Sequence, residues 1–76
     1  MHRATTVEWL SATYQNRLAT AADFLVSEKA ASNKEELKMR AISLERCITE
    51  AAKDPDLEGQ EVYEIGAACM TLLKFK

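Results

Sequence analysis

The chain has 76 residues, with ten Lys and Arg against twelve Asp and Glu for a formal net charge of -2, and it is 47% hydrophobic and 29% charged. That is the size of one small domain, and the apolar fraction is too high for a typical disordered chain; one Pro and two Gly leave few places to turn, which excludes many short strands and points to a few long helices. The charge balance lacks the clustered Lys and Arg that neutralise phosphates, since the densest cations, Lys34, Lys38 and Arg40, are interleaved with Glu35 and Glu36.

The first predicted helix covers about residues 6–31. Thr5 and Glu8 fit a Thr-x-x-Glu capping box, in which the hydroxyl accepts from an early orphan N–H and the carboxylate reaches back. Val7, Leu10, Tyr14, Leu18, Ala21 and Leu25 then recur at spacings of 3, 4, 4, 3 and 4, one face of a 3.6-residue period. At 1.5 Å per residue the helix would be about 39 Å long. After a short break at Ala31-Ser32-Asn33, a second helix is predicted over about 33–53. Ser32 with Glu35, or Asn33 with Glu36 in an alternative register, caps its start. Leu37, Ala41, Leu44, Ile48 and Ala51 form its apolar stripe, and Glu36–Arg40 and Arg46–Glu50 are opposite charges four apart, each a small stabiliser on a solvated face. So short a connection makes the two helices antiparallel neighbours.

Asp54-Pro55-Asp56 ends the second helix, because Pro disfavours helical geometry in the residue before it. The same Pro fits the first turn of a third helix with Asp54 as its cap. Gly59 leaves the start open between Pro55 and Gln60, and the helix is placed at about 57–74, with fraying at Lys74-Phe75-Lys76. Val62, Ile65, Cys69 and Leu72 recur at 3, 4 and 3, with Leu73 beside them. The predicted fold is all-α: an antiparallel helical hairpin plus a third helix, a small three-helix bundle forming one domain over residues 1–76.

The stretch Asp54-Pro55 followed by Val62-x-x-Ile65-Gly66-x-x-Cys69 resembles part of a tetratricopeptide repeat, whose first helix carries an aromatic-x-x-Leu-Gly-x-x-Tyr pattern after the Asp-Pro of the preceding helix. The likeness covers about 16 residues. It departs from the family in one extra residue after the proline and in Val62 and Cys69 at the aromatic positions. It implies helix–turn–helix packing around Gly66-Ala67-Ala68, where backbones can approach closely, and a peptide-binding scaffold.

Catalytic chemistry finds little to work with. The one histidine, His2, lies at the chain start, where an imidazole is poorly held, whereas nucleophilic triads need it fixed. Cys47 and Cys69 lie 22 apart with no paired ligand near either, unlike the close pairs of structural zinc sites. They read as buried thiols acting as small hydrophobes in a reducing compartment. The carboxylates have no cleft to shift their pKa values, and Gly59 and Gly66 make no phosphate-binding loop. No enzyme activity, metal or cofactor is therefore expected. No run of about 20 apolar residues could cross a bilayer, and residues 1–8 lack the apolar core of a signal peptide. The expected setting is cytoplasmic, with neither membrane nor direct nucleic-acid partner.

Two features point instead to another protein. On an ideal wheel Trp9 lies almost opposite Tyr14 and Leu18; Met39 and Ile42 fall away from the Leu37–Leu44–Ile48 stripe, and Tyr63 and Met70 make a second stripe on the third helix. Trp, Tyr and Met are enriched at interfaces. From Glu50 to Glu64 there are six acids against one base, Lys53, and Asp56, Glu58 and Glu61 could steer a basic surface. Ordering 76 residues costs on the order of 110 kcal/mol, which a small core barely offsets, so a homodimer or partner-dependent subunit is expected. The leading reading is a non-enzymatic protein–protein interaction module (adaptor, chaperone or inhibitor) that buries an apolar helix face anchored by Trp9. The alternative is an acidic nucleic-acid mimic of the phage-inhibitor type that blocks a nucleic-acid-binding enzyme.

Overall fold

The computed structural model describes residues 4–74; His2 and the fraying expected at Phe75 and Lys76 lie outside the described residues. Four helices follow in order: α1 (Thr6–Ser11), α2 (Tyr14–Ser27), α3 (Lys34–Ala52) and α4 (Val62–Leu72), with a 3-10 turn at Pro55–Leu57. α2 and α3 form the expected hairpin, and α4 and α1 both pack on α3. The fold is a small all-α bundle, and the described residues contain no strand beyond an isolated bridge between Thr5 and Glu61.

The helix expected over 6–31 is broken. Ala12 adopts an extended conformation, and Thr13 starts a new helix by accepting from the Asn16 amide at 3.2 Å. Neither Gly nor Pro causes the break. Ser and Thr hydroxyls compete for backbone groups and favour helix ends, and Arg17 Nη1 donates to the Ala12 carbonyl at 2.6 Å, satisfying an acceptor that the broken helix leaves over. The chain therefore folds back at residues 12–13 and lays α1 against α3.

Caps set the other boundaries. The box at Thr5 is complete, with Thr5 N donating to Glu8 Oε1 at 3.1 Å and Glu8 N to Thr5 Oγ1 at 3.4 Å. α3 takes the alternative Asn33–Glu36 register and not the Ser32–Glu35 box: Glu36 N donates to Asn33 Oδ1 at 2.8 Å, while Glu36 Oε1 accepts from both Ser32 N and Ser32 Oγ at 3.0 Å. α2 ends with Lys29 in the left-handed region, φ 54°. Ala30 N donates to Leu25 O at 2.8 Å and Lys29 N to Val26 O at 3.1 Å, the paired bonds of a Schellman ending. Glu36 pairs with Arg40 at 3.5 Å as expected, whereas Glu50 is bridged to Lys53 at 3.7 Å rather than to Arg46.

The third helix, expected from about residue 57, starts at Val62. Asp54 caps only the 3-10 turn, accepting from Asp56 N at 2.9 Å, and Gly59 then turns through φ 87°. Residues 60–62 are held by the N-terminal segment instead: Thr6 N donates to Gln60 O at 3.1 Å and Val62 N to Ala4 O at 2.8 Å. The buried Thr6 hydroxyl adds to this clasp, donating to Leu57 O and accepting from Gly59 N.

The core joins Trp9 to Ala21, Phe24 and Leu25 of α2, Leu44 and Ile48 of α3, and Val62, Ile65 and Met70 of α4. The close approach expected around Gly66-Ala67-Ala68 occurs at Gly66, where an added Cβ would lie 3.2 Å from the Phe24 ring; Ala67 and Ala68 are exposed. The cysteines are not free thiols. Cys47 on α3 and Cys69 on α4 form a disulfide, with Cα atoms 6.0 Å apart, inside the span such a bridge requires. Packing α4 on α3 brings together two residues 22 apart in sequence.

Candidate functional site

One stripe of α3 carries Lys34, Lys38, Ala41, Glu45, Thr49 and Ala52, at helical spacings of 4, 3, 4, 4 and 3. Its C-terminal half is occupied from within the chain. Trp9, 0% exposed, donates from Nε1 to Thr49 Oγ1 at 2.9 Å; Thr49 Oγ1 donates to Glu45 Oε2 at 2.7 Å; and Arg17 Nε donates to the same oxygen at 2.9 Å. The chain of bonds ends at the Ala12 carbonyl through Arg17. These groups satisfy one another, and among the described residues no buried side-chain N or O lacks a partner. A buried polar network that is complete in itself rigidifies a core and has nothing left over for a ligand.

The N-terminal half of the stripe borders an open groove of about 380 Å³ between α2 and α3. Leu18, Ala19 and Ala22 of α2 and Leu37 and Ala41 of α3 line it, with Gln15, Lys34 and Lys38 around them. The depression follows from residue size: three alanines lie between two leucines and leave the seam incompletely filled. Lys34 and Lys38 stand one turn apart on the α3 wall, and among the described residues neither has an ion-pair partner. The result is an apolar floor with positive charge on one side.

The residues singled out from sequence do not gather on one surface. Trp9 is a core residue, because the break at residues 12–13 turns it inward; it cannot be an exposed anchor in this fold. Met70, 3% exposed, is also interior, where α4 packs on the hairpin. Met39, Ile42 and Tyr63 are exposed, but Tyr63 is on α4, edge-on to Phe24 at a ring distance of 5.9 Å. Ile42 borders a second depression of about 320 Å³ with Ser43, Arg46, Cys47, Glu50 and Leu73. Asp56, Glu58 and Glu61 are exposed in the segment that follows the C-terminal end of α3, the end away from Lys34. Sequence reasoning placed Leu18 and Leu37 on core stripes and missed the groove they border. The signal present was the run of alanines beside them, which fills less space than a sealed seam needs.

Among the described residues no group of three or more His, Cys, Asp or Glu could hold a metal ion, and no helix is long and apolar enough to cross a membrane. No protein-family model, curated protein or solved structure matches this chain.

Proposed function

We propose that the chain is a non-enzymatic protein–protein interaction module that takes the apolar face of an acidic amphipathic helix into the α2–α3 groove. The observation that carries this reading is the apolar floor bounded by Leu18 and Leu37, with Lys34 and Lys38 along one wall. Helix-in-groove recognition uses apolar side chains at i, i+3, i+4 and i+7 to fill such a floor. Burial contributes roughly 25 cal/mol per Å² of apolar surface removed from water. The two lysines add orientation and faster encounter with a partner whose flank carries Asp or Glu. The partner proposed is another protein; the cytoplasmic setting expected from sequence belongs to the same proposal.

The test is fluorescence anisotropy with a labelled synthetic helix that has leucines on one face and glutamates beside them. Saturable binding is expected, weakened at least tenfold, or about 1.4 kcal/mol, by Ala22→Arg, which fills the groove, and by Lys34→Glu with Lys38→Glu. Equal binding by wild type and Ala22→Arg would refute the groove. Sedimentation without peptide covers the remaining occupant: a dimer dissolved by Ala22→Arg would make the partner a second copy and overturn the reading.

The acidic-mimic reading has its own support, the exposure of Asp54, Asp56, Glu58, Glu61 and Glu64 within one short segment. It requires the chain to displace duplex DNA from a basic nuclease in a manner lost on replacing Asp56, Glu58 and Glu61 by Asn and Gln and steeply weakened by salt. Binding through the groove would be little affected by those replacements.

A further inference from the structure

We propose that Cys47 is a thiol-exchange site, at which a low-molecular-weight thiol opens the Cys47–Cys69 bridge and stays on Cys47 as a mixed disulfide. The two sulfurs differ in access. Cys69 is 2% exposed within the core, whereas Cys47 is half-buried and lines the surface depression of about 320 Å³. Exchange proceeds by attack of a thiolate on one sulfur of a disulfide, at a rate governed by access and by the local charge. Attack from the depression reaches Cys47 and expels Cys69. Arg46 lines the same depression and favours an approaching anion; Glu50, also there, is bridged to Lys53.

The step balances without an outside oxidant. The entering thiolate forms a bond to Cys47 Sγ, the Cys47–Cys69 bond breaks, and its electron pair leaves on Cys69 Sγ, which takes a proton from water. The entering sulfur is oxidised and Cys69 is reduced. As a thiol, Cys69 is a small hydrophobe suited to its apolar surroundings. What the exchange removes is the covalent tie between α3 and α4. α4 is short, and its N-cap, Glu61, makes no side-chain capping bond, so its remaining hold is the packing of Val62, Ile65 and Met70 and the clasp at residues 60–62. The α2–α3 hairpin keeps its own caps. In an oxidising compartment the bridge persists; in a thiol-rich one the exchange loosens α4.

The experiment incubates the oxidised full chain with reduced glutathione and locates the adduct by mass spectrometry with fragmentation. At least tenfold more adduct on Cys47 than on Cys69 is expected. Amide exchange in α4 should accelerate at least tenfold and in α2 and α3 less than twofold. A predominant Cys69 adduct, a bridge that stays closed under glutathione that opens a disulfide in a short peptide, or unchanged exchange in α4 would overturn the proposal. Single-cysteine chains give an independent reading with oxidised glutathione. Cys69→Ser should accept the thiol on Cys47, while folded Cys47→Ser should leave Cys69 unmodified; the reverse pattern would overturn the proposal.

Discussion

The two halves of the α3 stripe have the same helical register and opposite fates. Around Glu45 and Thr49 the stripe lies under α1 and is closed by the indole of Trp9 and the Arg17 guanidinium. Around Lys34, Lys38 and Ala41 it borders open apolar space. The difference comes from the length of the cover. α1 has only six residues, and the fold-back at residues 12–13 brings it over the C-terminal half alone. Helical periodicity therefore identifies a face that wants burial, while a tertiary event decides how much of that face the chain itself covers.

Trp9→Ala puts the most weight on this contrast. Truncating a fully buried Trp costs about 3–5 kcal/mol and leaves Thr49 without its indole donor, against a total stability of about 4–11 kcal/mol for a domain of this size. Denaturant unfolding should show a midpoint lowered by that loss, enough to unfold the chain if its stability lies at the lower end of that range. Trp9→Phe should lose less, since most of the apolar volume remains. A loss below about 1 kcal/mol for Trp9→Ala, the level of an ordinary surface change, would mean that α1 does not seal this half.

A matched pair on α3 sharpens the contrast. Leu37 and Leu44 are the same residue two turns apart, one half-buried at the groove and the other fully buried. Leu44→Ala should cost about 2–5 kcal/mol and Leu37→Ala about 1 kcal/mol, because only the first leaves an enclosed cavity. Equal losses in chemical denaturation would show that the groove is covered in solution, by a second copy or by the chain itself.

Much of the fold was legible because its determinants are local. The Thr5–Glu8 box, the Asn33–Glu36 cap and the stripe through Leu37, Leu44 and Ile48 are each written within a few residues, and the all-α hairpin follows from them. The break after Ser11 was not legible. Its local devices, the Thr13 cap and the Arg17 bond to the Ala12 carbonyl, use residue types that also occur inside helices, and Arg17 is itself held by Glu45, 28 residues away; an unbroken wheel then turns Trp9 outward by construction. The Cys47–Cys69 bridge was missed for a similar reason, since spacing rules describe close ligand pairs and not residues brought together across a helix seam. Met39 and Ile42, read as falling away from the α3 stripe, are exposed, whereas the second stripe read for Tyr63 and Met70 is split, with Tyr63 exposed and Met70 buried. The groove was not foreseen, because Leu18 and Leu37 have the same period as their buried neighbours.

The open half also depends more on local devices. Lys29 ends α2 at φ 54°, a conformation that costs a side-chain-bearing residue about 1 kcal/mol and glycine almost nothing. Lys29→Gly should therefore raise stability by up to about 1 kcal/mol, reduced by the extra freedom of glycine in the unfolded chain. A stability loss greater than the roughly 1 kcal/mol that glycine's unfolded-state freedom can cost would show that the Lys29 side chain makes a stabilising contact larger than the strain.

The smallest effect concerns acid at the same end of the hairpin. Hydrogen bonds from the Ser32 amide and hydroxyl, aided by the charge of Arg40, hold the Glu36 carboxyl below its ordinary pKa. A carboxylate whose pKa is lower in the folded than in the unfolded chain stabilises the fold fully above the unfolded value, and that contribution is lost as pH falls through the folded value. The cap of α3 should therefore loosen on acidification through and below the usual carboxylate range, seen as faster amide exchange over residues 34–37 once the intrinsic pH dependence is removed. In Glu36→Gln that acid-induced step should vanish, because the side chain no longer titrates. If the step survived in Glu36→Gln, another carboxyl would be controlling the start of α3, and Glu35, in the same first turn, would be the next to replace.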